Sequence, residues 1–293
     1  MEIRVLNYFL MVAREENITK AANMLHITQP TLSRQLMQLE QELGVKLFNR
    51  GHHNITLTEE GMLLKRRAQE IISLANKTKM DIKQQVQNLS GEICIGSGEF
   101  YSSSFLTDMM AKFHEQYPLV TYQVYSGNAD NIKERIENGL LDLGLLSEPV
   151  DISKYEFIRL PLKEEFGAYI HEDNPLATKT QLTPQDLANE PLLIPQRTLL
   201  KNELGNWFGD YRDKLNIVLT GNLLYNQAML VRSGLGSVIS IRLKSTYDKL
   251  KFIPLYPSLQ FSSVIVWKKS EKQSLATTAF IQYAKQYIAN LSK

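Results

Sequence analysis

The side chains best suited to chemistry in this sequence fall into two sets. Gln29, Thr31, Ser33, Arg34, Gln35 and Gln38 lie on the helix face left over once Leu32, Leu36, Leu39 and Leu43, at helical spacing, form a buried stripe. Arg can pair with guanine, Gln with adenine, and Ser or Thr with either, so this face can read base edges in a major groove. A solvated helix face is the plainer alternative. The second set is the loop Ser97-Gly98-Glu99-Phe100-Tyr101-Ser102-Ser103-Ser104. It follows an apolar strand and leads into a helix, where unsatisfied first-turn amides favour an anion.

The elements that must hold the first set read clearly. Ile3, Leu6, Phe9, Leu10 and Ala13 predict an amphipathic helix to about Glu15. Thr19 is the expected cap of a short second helix. Thr28 caps the third, with Pro30 in its first turn and Gly44 as its left-handed terminator. Two helices joined by a tight turn make a helix-turn-helix. Val45 to Arg50 and Ile55 to Thr58 predict two strands around Gly51-His52-His53-Asn54, a β-ribbon wing. Arg50, His52 and His53 would approach a phosphate backbone. Adjacent histidines suggest a metal, but no carboxylate or cysteine shares the turn, and a tip reaching toward DNA fits better.

Thr58 caps a long helical segment from Glu59 to about Leu89. Leu64, Ala68, Ile71, Ala75, Thr78, Ile82, Gln85 and Leu89 repeat at alternating four and three residues, a narrow coiled-coil seam. A rod of roughly 45 Å, at about 1.5 Å per residue, exceeds what a 58-residue domain can cover. Pairing with the same helix of a second chain is therefore expected over packing along its own domain, with Leu64, Ala68, Ile71, Ala75 and Ile82 as dimerisation residues.

Residues 1–58 resemble the DNA-binding domain of the LysR-type transcriptional regulators. The resemblance rests on Phe9, Ala21-Ala22, Leu25, Thr28-Gln29-Pro30-Thr31-Leu32-Ser33, Leu36, Leu39-Glu40, Leu43-Gly44, Leu47-Phe48, Arg50, and Leu57-Thr58 with Gly61. It implies Thr28, Gln29, Pro30, Thr31, Ser33, Arg34, Gln38, Arg50 and His53 as DNA-binding residues.

Beyond Gly91 the pattern becomes α/β. Glu92–Gly96, Val120–Tyr125 and Leu141–Leu146 read as strands, with helices near Ser103 and from Asn131 to Asn138, which implies a parallel sheet. Around Pro161 a second lobe begins. Phe166–Ile170, Leu192–Ile194, Asn216–Thr220, Ser237–Ser240 and Ser263–Trp267 are its expected strands. Gln227–Arg232 is a helix ending at Gly234-Leu235-Gly236, and Ala276–Leu291 closes the chain. Two lobes joined by two crossings leave a cleft where small ligands bind. This order also resembles the family's effector domain, which is similar to periplasmic solute-binding proteins. Pro118, Gly127, Asp142-Leu143-Gly144, Asn174-Pro175-Leu176 and Gly234-Leu235-Gly236 carry that likeness.

The resemblance implies an α/β chain in three parts: a winged helix-turn-helix at 1–58, a linker and dimerisation helix at 59–89, and a two-lobed periplasmic-binding-protein-like effector domain at 90–293. Lobe I is 90–161 with 267–293, and lobe II is 162–266. Many family members hold an effector carboxylate with a Ser or Thr in the first loop. Here Phe100 stands at that place beside Glu99, so either Ser102 or Ser103 takes the role, or Glu99 selects an effector carrying an amine. The effector-binding set is thus Ser97, Glu99, Phe100, Tyr101, Ser102 and Ser103, with Asn128, Ser147, Gln196, Arg197 and Tyr225 facing them. Each has a plainer alternative: Ser103 as a cap, Asn128 as a turn former, Arg197 as a surface charge.

Composition narrows the field. The chain has 293 residues, with 33 basic against 31 acidic, and residues 1–90 carry 12 and 9 of these. Any DNA contact therefore uses placed charges rather than a basic flood. No apolar run approaches the roughly 18–20 residues of a membrane span, and the N-terminus lacks the layout of a secretion signal, so the expected location is cytoplasmic. The lone Cys94 sits in a predicted strand as core. No Walker A loop, Gly-Xaa-Ser-Xaa-Gly elbow or His-Glu-Xaa-Xaa-His is present, so no catalytic residue, metal or cofactor is expected. The partners expected are a pseudo-palindromic double-stranded DNA operator, a small-molecule effector and further copies of the chain as homodimer or homotetramer. A cytosolic solute-binding protein without a DNA-regulatory role is the alternative.

Overall fold

The computed structural model describes residues 1–50, 55–83, 89–269 and 272–291, and divides into two compact units, Met1–Lys83 and Gln84–Lys293. In the first unit α1 (Ile3–Glu15), α2 (Ile18–Met24) and α3 (Gln29–Leu43) enclose Phe9, Val12, Ala21, Leu32, Leu36 and Leu39. Asn17, not Thr19, caps α2, its side chain accepting from the Lys20 amide at 2.9 Å. An Asn oxygen serves this role as well as a Thr hydroxyl, so the helix starts one residue beyond it. Thr28 flanks α3, but its hydroxyl pairs with that of Thr31 at 2.8 Å instead of with an amide. Gly44 ends α3 at φ 71°. Leu43 leaves the expected stripe and is exposed, because the helix has by then run past the core.

β1 (Phe48–Arg50) and β2 (Ile55–Leu57) pair antiparallel, Phe48 opposite Leu57. The first strand starts later than Val45 because Glu40, buried, holds the approach: its carboxylate accepts from the Leu47 amide at 2.8 Å and the Phe48 amide at 3.4 Å. His52 and His53 lie outside the described residues, as does the Arg50 side chain.

α4 (Glu59–Lys83) follows at once. The Thr58 hydroxyl accepts from the Gly61 amide at 3.0 Å and donates to the Lys46 carbonyl at 2.7 Å. Gly61 is required there, since a Cβ would stand 2.2 Å from the Leu47 carbonyl oxygen. The expected pairing seam is partly corrected. Ala68 is fully buried in this unit's own core and Leu64 packs against it, because the first turns of α4 lie along α1. Ile71 is exposed, Ala75 is half-buried, and the Ile82 side chain lies outside the described residues. Among the described side chains of α4, the large apolar ones that are exposed are Met62, Leu63, Ile71 and Leu74.

The second unit opens with β3 (Gly91–Ser97), α5 (Ser103–Gln116), β4 (Val120–Ser126), α6 (Ala129–Glu137) and β5 (Leu143–Ser147), with β3 parallel to both β4 and β5. It continues through β6 (Tyr155–His171), the short α7 (Pro184–Leu187), β7 (Pro191–Pro195), α8 (Thr198–Phe208) and β8 (Asn216–Gly221). After these come α9 (Leu224–Arg232), β9 (Ser237–Ile241), β10 (Leu250–Pro254), β11 (Gln260–Lys268) and α10 (Leu275–Leu291). β6 runs unbroken through Pro161, where a lobe boundary was expected. Proline fits because the pairing of β6 with β11 shifts register between Ser262 and Val264, so no partner needs its missing N–H.

The crossing strands organise two hydrophobic regions. β11 pairs antiparallel with β5 and with the first part of β6, whose later residues pair with β9 and β10. Phe113 of α5 and Phe280 of α10 pack on one face of the first region, and Ile132 and Ile136 of α6 on the other. In the second region Leu204 and Phe208 of α8 oppose Ala228 and Val231 of α9. Neither α8 nor β10 was marked by periodicity. Gly236, at φ 129°, turns α9 into β9, where a Cβ would stand 2.1 Å from the Pro191 carbonyl oxygen.

Glu40→Ala would leave the Leu47 and Phe48 amides without their charged acceptor. The expected loss is about 3 kcal/mol in the first unit, from two hydrogen bonds to a charged group. Hydrogen exchange of the α3 amides in urea checks it, and unchanged protection would contradict the role given to Glu40.

Candidate DNA-reading face and effector cleft

α3 presents its polar residues opposite Leu32, Leu36 and Leu39. Gln29, Pro30, Arg34 and Gln38 are exposed, while Thr31, Ser33 and Gln35 are half-buried. Gln35 donates to Gln38 at 3.2 Å, and Thr28 is tied to Thr31. Arg34 has no ionic or hydrogen-bonding partner among the described residues. No acidic residue stands in the first turn of α3; Glu40 is buried and Glu42 is paired with the N-terminal amine of Met1. From Gln29 to Gln38 this face is rich in hydrogen-bond donors and carries no acid.

In the second unit a cleft opens where the ends of β3, β5 and β7 approach α9. Of the residues expected there, Glu99, Phe100, Asn128, Ser147 and Arg197 line it. Ser97, Tyr101, Ser102, Ser103, Gln196 and Tyr225 do not. The reasons are local. The Ser103 hydroxyl donates to the Gly98 carbonyl at 3.0 Å and accepts from the Phe100 amide at 3.1 Å, so it braces its own loop, and Ser97 lies 3.3 Å from it. Gln196 is exposed, its amide bound to the Gly221 carbonyl at 2.9 Å. Tyr225 is exposed on α9, its ring tilted against that of Tyr247 at 6.4 Å.

The expected anion site at the start of α5 is occupied from within. Glu164 on β6, fully buried, accepts from the Tyr101 amide at 2.9 Å, the Ser102 amide at 3.2 Å and the Ser263 hydroxyl at 2.6 Å. A helix N-terminus stabilises a carboxylate, and here the carboxylate is the chain's own. Nothing in the charged run Lys163-Glu164-Glu165 marked it, since its partners come from distant segments.

Glu99 reaches across the cleft and accepts from the Leu224 amide in the first turn of α9. Asn128 caps α6, accepting from the Asp130 and Asn131 amides at 3.0 Å each. Arg197, expected at the surface in its plainer reading, is 6% exposed. It donates to the Pro149 carbonyl at 2.9 Å and the Ser147 carbonyl at 3.5 Å, with Asp130 at 3.8 Å. Burial lowers its pKa, and Asp130 opposes that shift. Gln227 also lines the cleft and was missed, although as a polar residue in the buried stripe of Leu224, Ala228 and Val231 it carried a signal.

Known proteins match both units. Residues 3–62 match the family described as bacterial regulatory helix-turn-helix protein, lysR family, and residues 87–289 match the LysR substrate binding domain. The uncharacterized HTH-type transcriptional regulator YybE of Bacillus subtilis (strain 168) is 30% identical over 97% of this chain and 98% of its own length. The HTH-type transcriptional activator CmpR of Synechocystis sp. (strain ATCC 27184 / PCC 6803 / Kazusa) is 28% identical over 94% of this chain and 92% of its own. Full-length CbnR, crystallised with its target DNA, shares the fold with a TM-score of 0.75 at 21% identity, covering 98% of this chain and 99% of that one. The chain belongs to the LysR family of DNA-binding transcriptional regulators, with a helix-turn-helix and an effector-binding domain. The match over residues 3–62 leaves a solute-binding protein without a regulatory role unsupported. Among the described residues, no helix is long and apolar enough to cross a membrane.

Beside the cleft, burial pushes the Tyr247 phenol up from 10.0 to about 12, and the charge of Glu99 adds to the shift. The folded value lies above the unfolded one, so this stabilisation is complete below the unfolded value and is lost as pH rises through the folded one. The thermal stability of the second unit is expected to fall between about pH 10 and pH 12, and Tyr247→Phe to lessen that decline. An unaltered slope in the variant would contradict the assignment.

Proposed function

We propose that the chain binds a pseudo-palindromic operator as a homodimer, assembled further into a tetramer, and responds to a small molecule held in the cleft of its second unit. The observation that carries this reading is the polar face of α3 from Gln29 to Gln38, which carries no acid, with Arg34 exposed and the opposite face buried. In this reading residues 1–58 are the reading head, 59–89 the joining helix, and 90–293 the sensor, with one crossing of the lobes at each of β6 and β11. Thr28, Gln29, Pro30, Thr31, Ser33, Arg34 and Gln38 meet the major groove, and Arg50 and His53 the flanking phosphates. Phosphate contacts set the register, and the base contacts select sequence. The protein works in the cytoplasm, as a regulator rather than an enzyme.

Pairing runs along α4, but not through Leu64 and Ala68, which its own unit covers. The stripe that remains for a second chain is Leu63, 53% exposed, with Ile71 at 36% and Leu74 at 41%. An apolar helix face of this kind is stabilised by a partner that removes it from water. Two-fold pairing then presents two α3 helices to half-sites about one turn of DNA apart.

Arg34→Ala is expected to weaken binding to the operator by about 1–3 kcal/mol, the worth of a bidentate guanine contact, and binding to unrelated DNA far less. Fluorescence anisotropy with both DNAs checks this, and an equal loss on both would remove Arg34 from the base-reading set. The double variant Leu63→Asp with Leu74→Asp is expected to move the protein to a smaller species in sedimentation velocity and to lower operator affinity with it. An unchanged mass would move the dimer interface off this face of α4.

A further inference from the structure

We infer that the cleft takes a small zwitterion, an amino acid or amino-carboxylate with an apolar stem, whose acid group meets Arg197 and whose ammonium group meets Glu99 and Gln227. This rests on the proposal that the cleft is the effector site, and it names the chemical class of the effector.

Three features of the cleft point there. The first is what the start of α5 no longer offers. Glu164 already accepts from the Tyr101 and Ser102 amides, so a ligand carboxylate in the same place would face a buried like charge and find its donors taken. An acidic ligand must find another cation. Arg197 is the cationic residue lining the cleft. It is 6% exposed, and its Nε atom has no hydrogen-bond partner among the described residues. A guanidinium carries five N–H donors in a planar fork that suits a carboxylate. Carbonyls of Ser147 and Pro149 hold two of them and thereby fix the orientation of the rest.

The second feature is an acceptor with no donor. Gln227 is 5% exposed, and its Nε2 donates to the Leu223 carbonyl at 2.9 Å. That bond leaves Oε1 buried in the cleft wall without a donor among the described residues. Buried acceptors are nearly always satisfied, so this oxygen calls for an N–H or O–H from what the cleft holds.

Glu99 supplies the third. It lines the cleft and accepts from the Leu224 amide, three residues before Gln227, so a carboxylate and an amide oxygen are both drawn to the first turn of α9. A protonated amine provides donors and a positive charge to both. Phe100, Phe166, Leu200 and Ile241 line the same cleft and suit an apolar stem. A plain carboxylate would leave the Gln227 Oε1 without a donor and the half-buried Glu99 without a cation. A plain amine would leave the Arg197 Nε donor without an acceptor within hydrogen-bond distance, since Asp130 stands 3.8 Å away.

The test uses the full chain, with calorimetric titration and thermal shift. The probes are the twenty L-amino acids, 4-aminobutyrate and 5-aminovalerate, then the N-acetyl and amide forms of whichever binds, with benzoate and butylamine as single-charge controls. The expected result is that a zwitterion binds, and that blocking either end weakens it by at least about tenfold, as for the loss of a charge-assisted hydrogen bond. Glu99→Gln, which keeps an oxygen for the Leu224 amide, should weaken the zwitterion by a similar factor and leave the N-acetyl form unchanged. Arg197→Lys should weaken the zwitterion and leave the amide form unchanged. These ratios distinguish a lost ligand contact from a damaged fold, which would weaken every ligand alike. Failure of every zwitterion would overturn the inference. Binding of benzoate in preference, abolished by Arg197→Lys, would overturn it while keeping the cleft as the effector site. Binding of a zwitterion that none of Glu99→Gln, Arg197→Lys and Gln227→Leu alters would overturn both.

Discussion

The antiparallel pairing of β6 with β11 is the constraint from which the second unit is built. Each strand belongs to both hydrophobic regions, so the two lobes share backbone hydrogen bonds instead of meeting only at side chains. Glu164 lies on one of these strands and Ser263 on the other, and together they receive the loop at the start of α5. A buried carboxylate is costly unless hydrogen bonds replace its water. Three protein donors do so here, two of them at a helix N-terminus whose dipole adds to the effect. The wall of the cleft is thus set by the same residues that join the lobes.

A second buried carboxylate performs a parallel task in the first unit. Glu40 accepts from the amides of Leu47 and Phe48 and so fixes where β1 leaves α3. With Glu40 turned inward and Glu42 paired with the N-terminal amine one turn beyond Gln38, the stretch from Gln29 to Gln38 carries no acid of its own. Negative charge near that face would oppose a phosphate backbone. Packing and electrostatics therefore act together, and the modest basic excess of residues 1–90 suffices because it is not cancelled where it matters.

Much of the first unit was legible because its signals are local. Pro30, Gly44 and Thr58 act within a turn of the helices they start or end, and the spacing of Leu32, Leu36 and Leu39 defines a face by itself. The misplacement of the α2 cap from Asn17 to Thr19 is the small error that two neighbouring capping residues invite. The seam on α4 shows a deeper limit. Periodicity states that Leu64 and Ala68 share an apolar side, but α1 of the same unit covers it, while Leu63 and Leu74 stay exposed on another side. A repeat in sequence says which residues face together and not what they face.

From the residues alone came the reading helix with its polar face, most of the strands and helices in their order though not α8 or β10, and the presence of two α/β lobes with a cleft. These follow from periods of two and of about 3.6, from caps and from turns, all of them short-range. The contents of the cleft were decided only in three dimensions. Ser97 and Ser103 turned to their own loop, Glu164 crossed 63 residues to reach Tyr101, Glu99 crossed 125 to reach Leu224, and Gln227 entered the wall. Such partners are chosen by how sheets and helices pack, and by the need of each buried polar group for a donor or acceptor. No local pattern encodes that choice, because the competing partners lie far apart in the chain and become neighbours only when it folds.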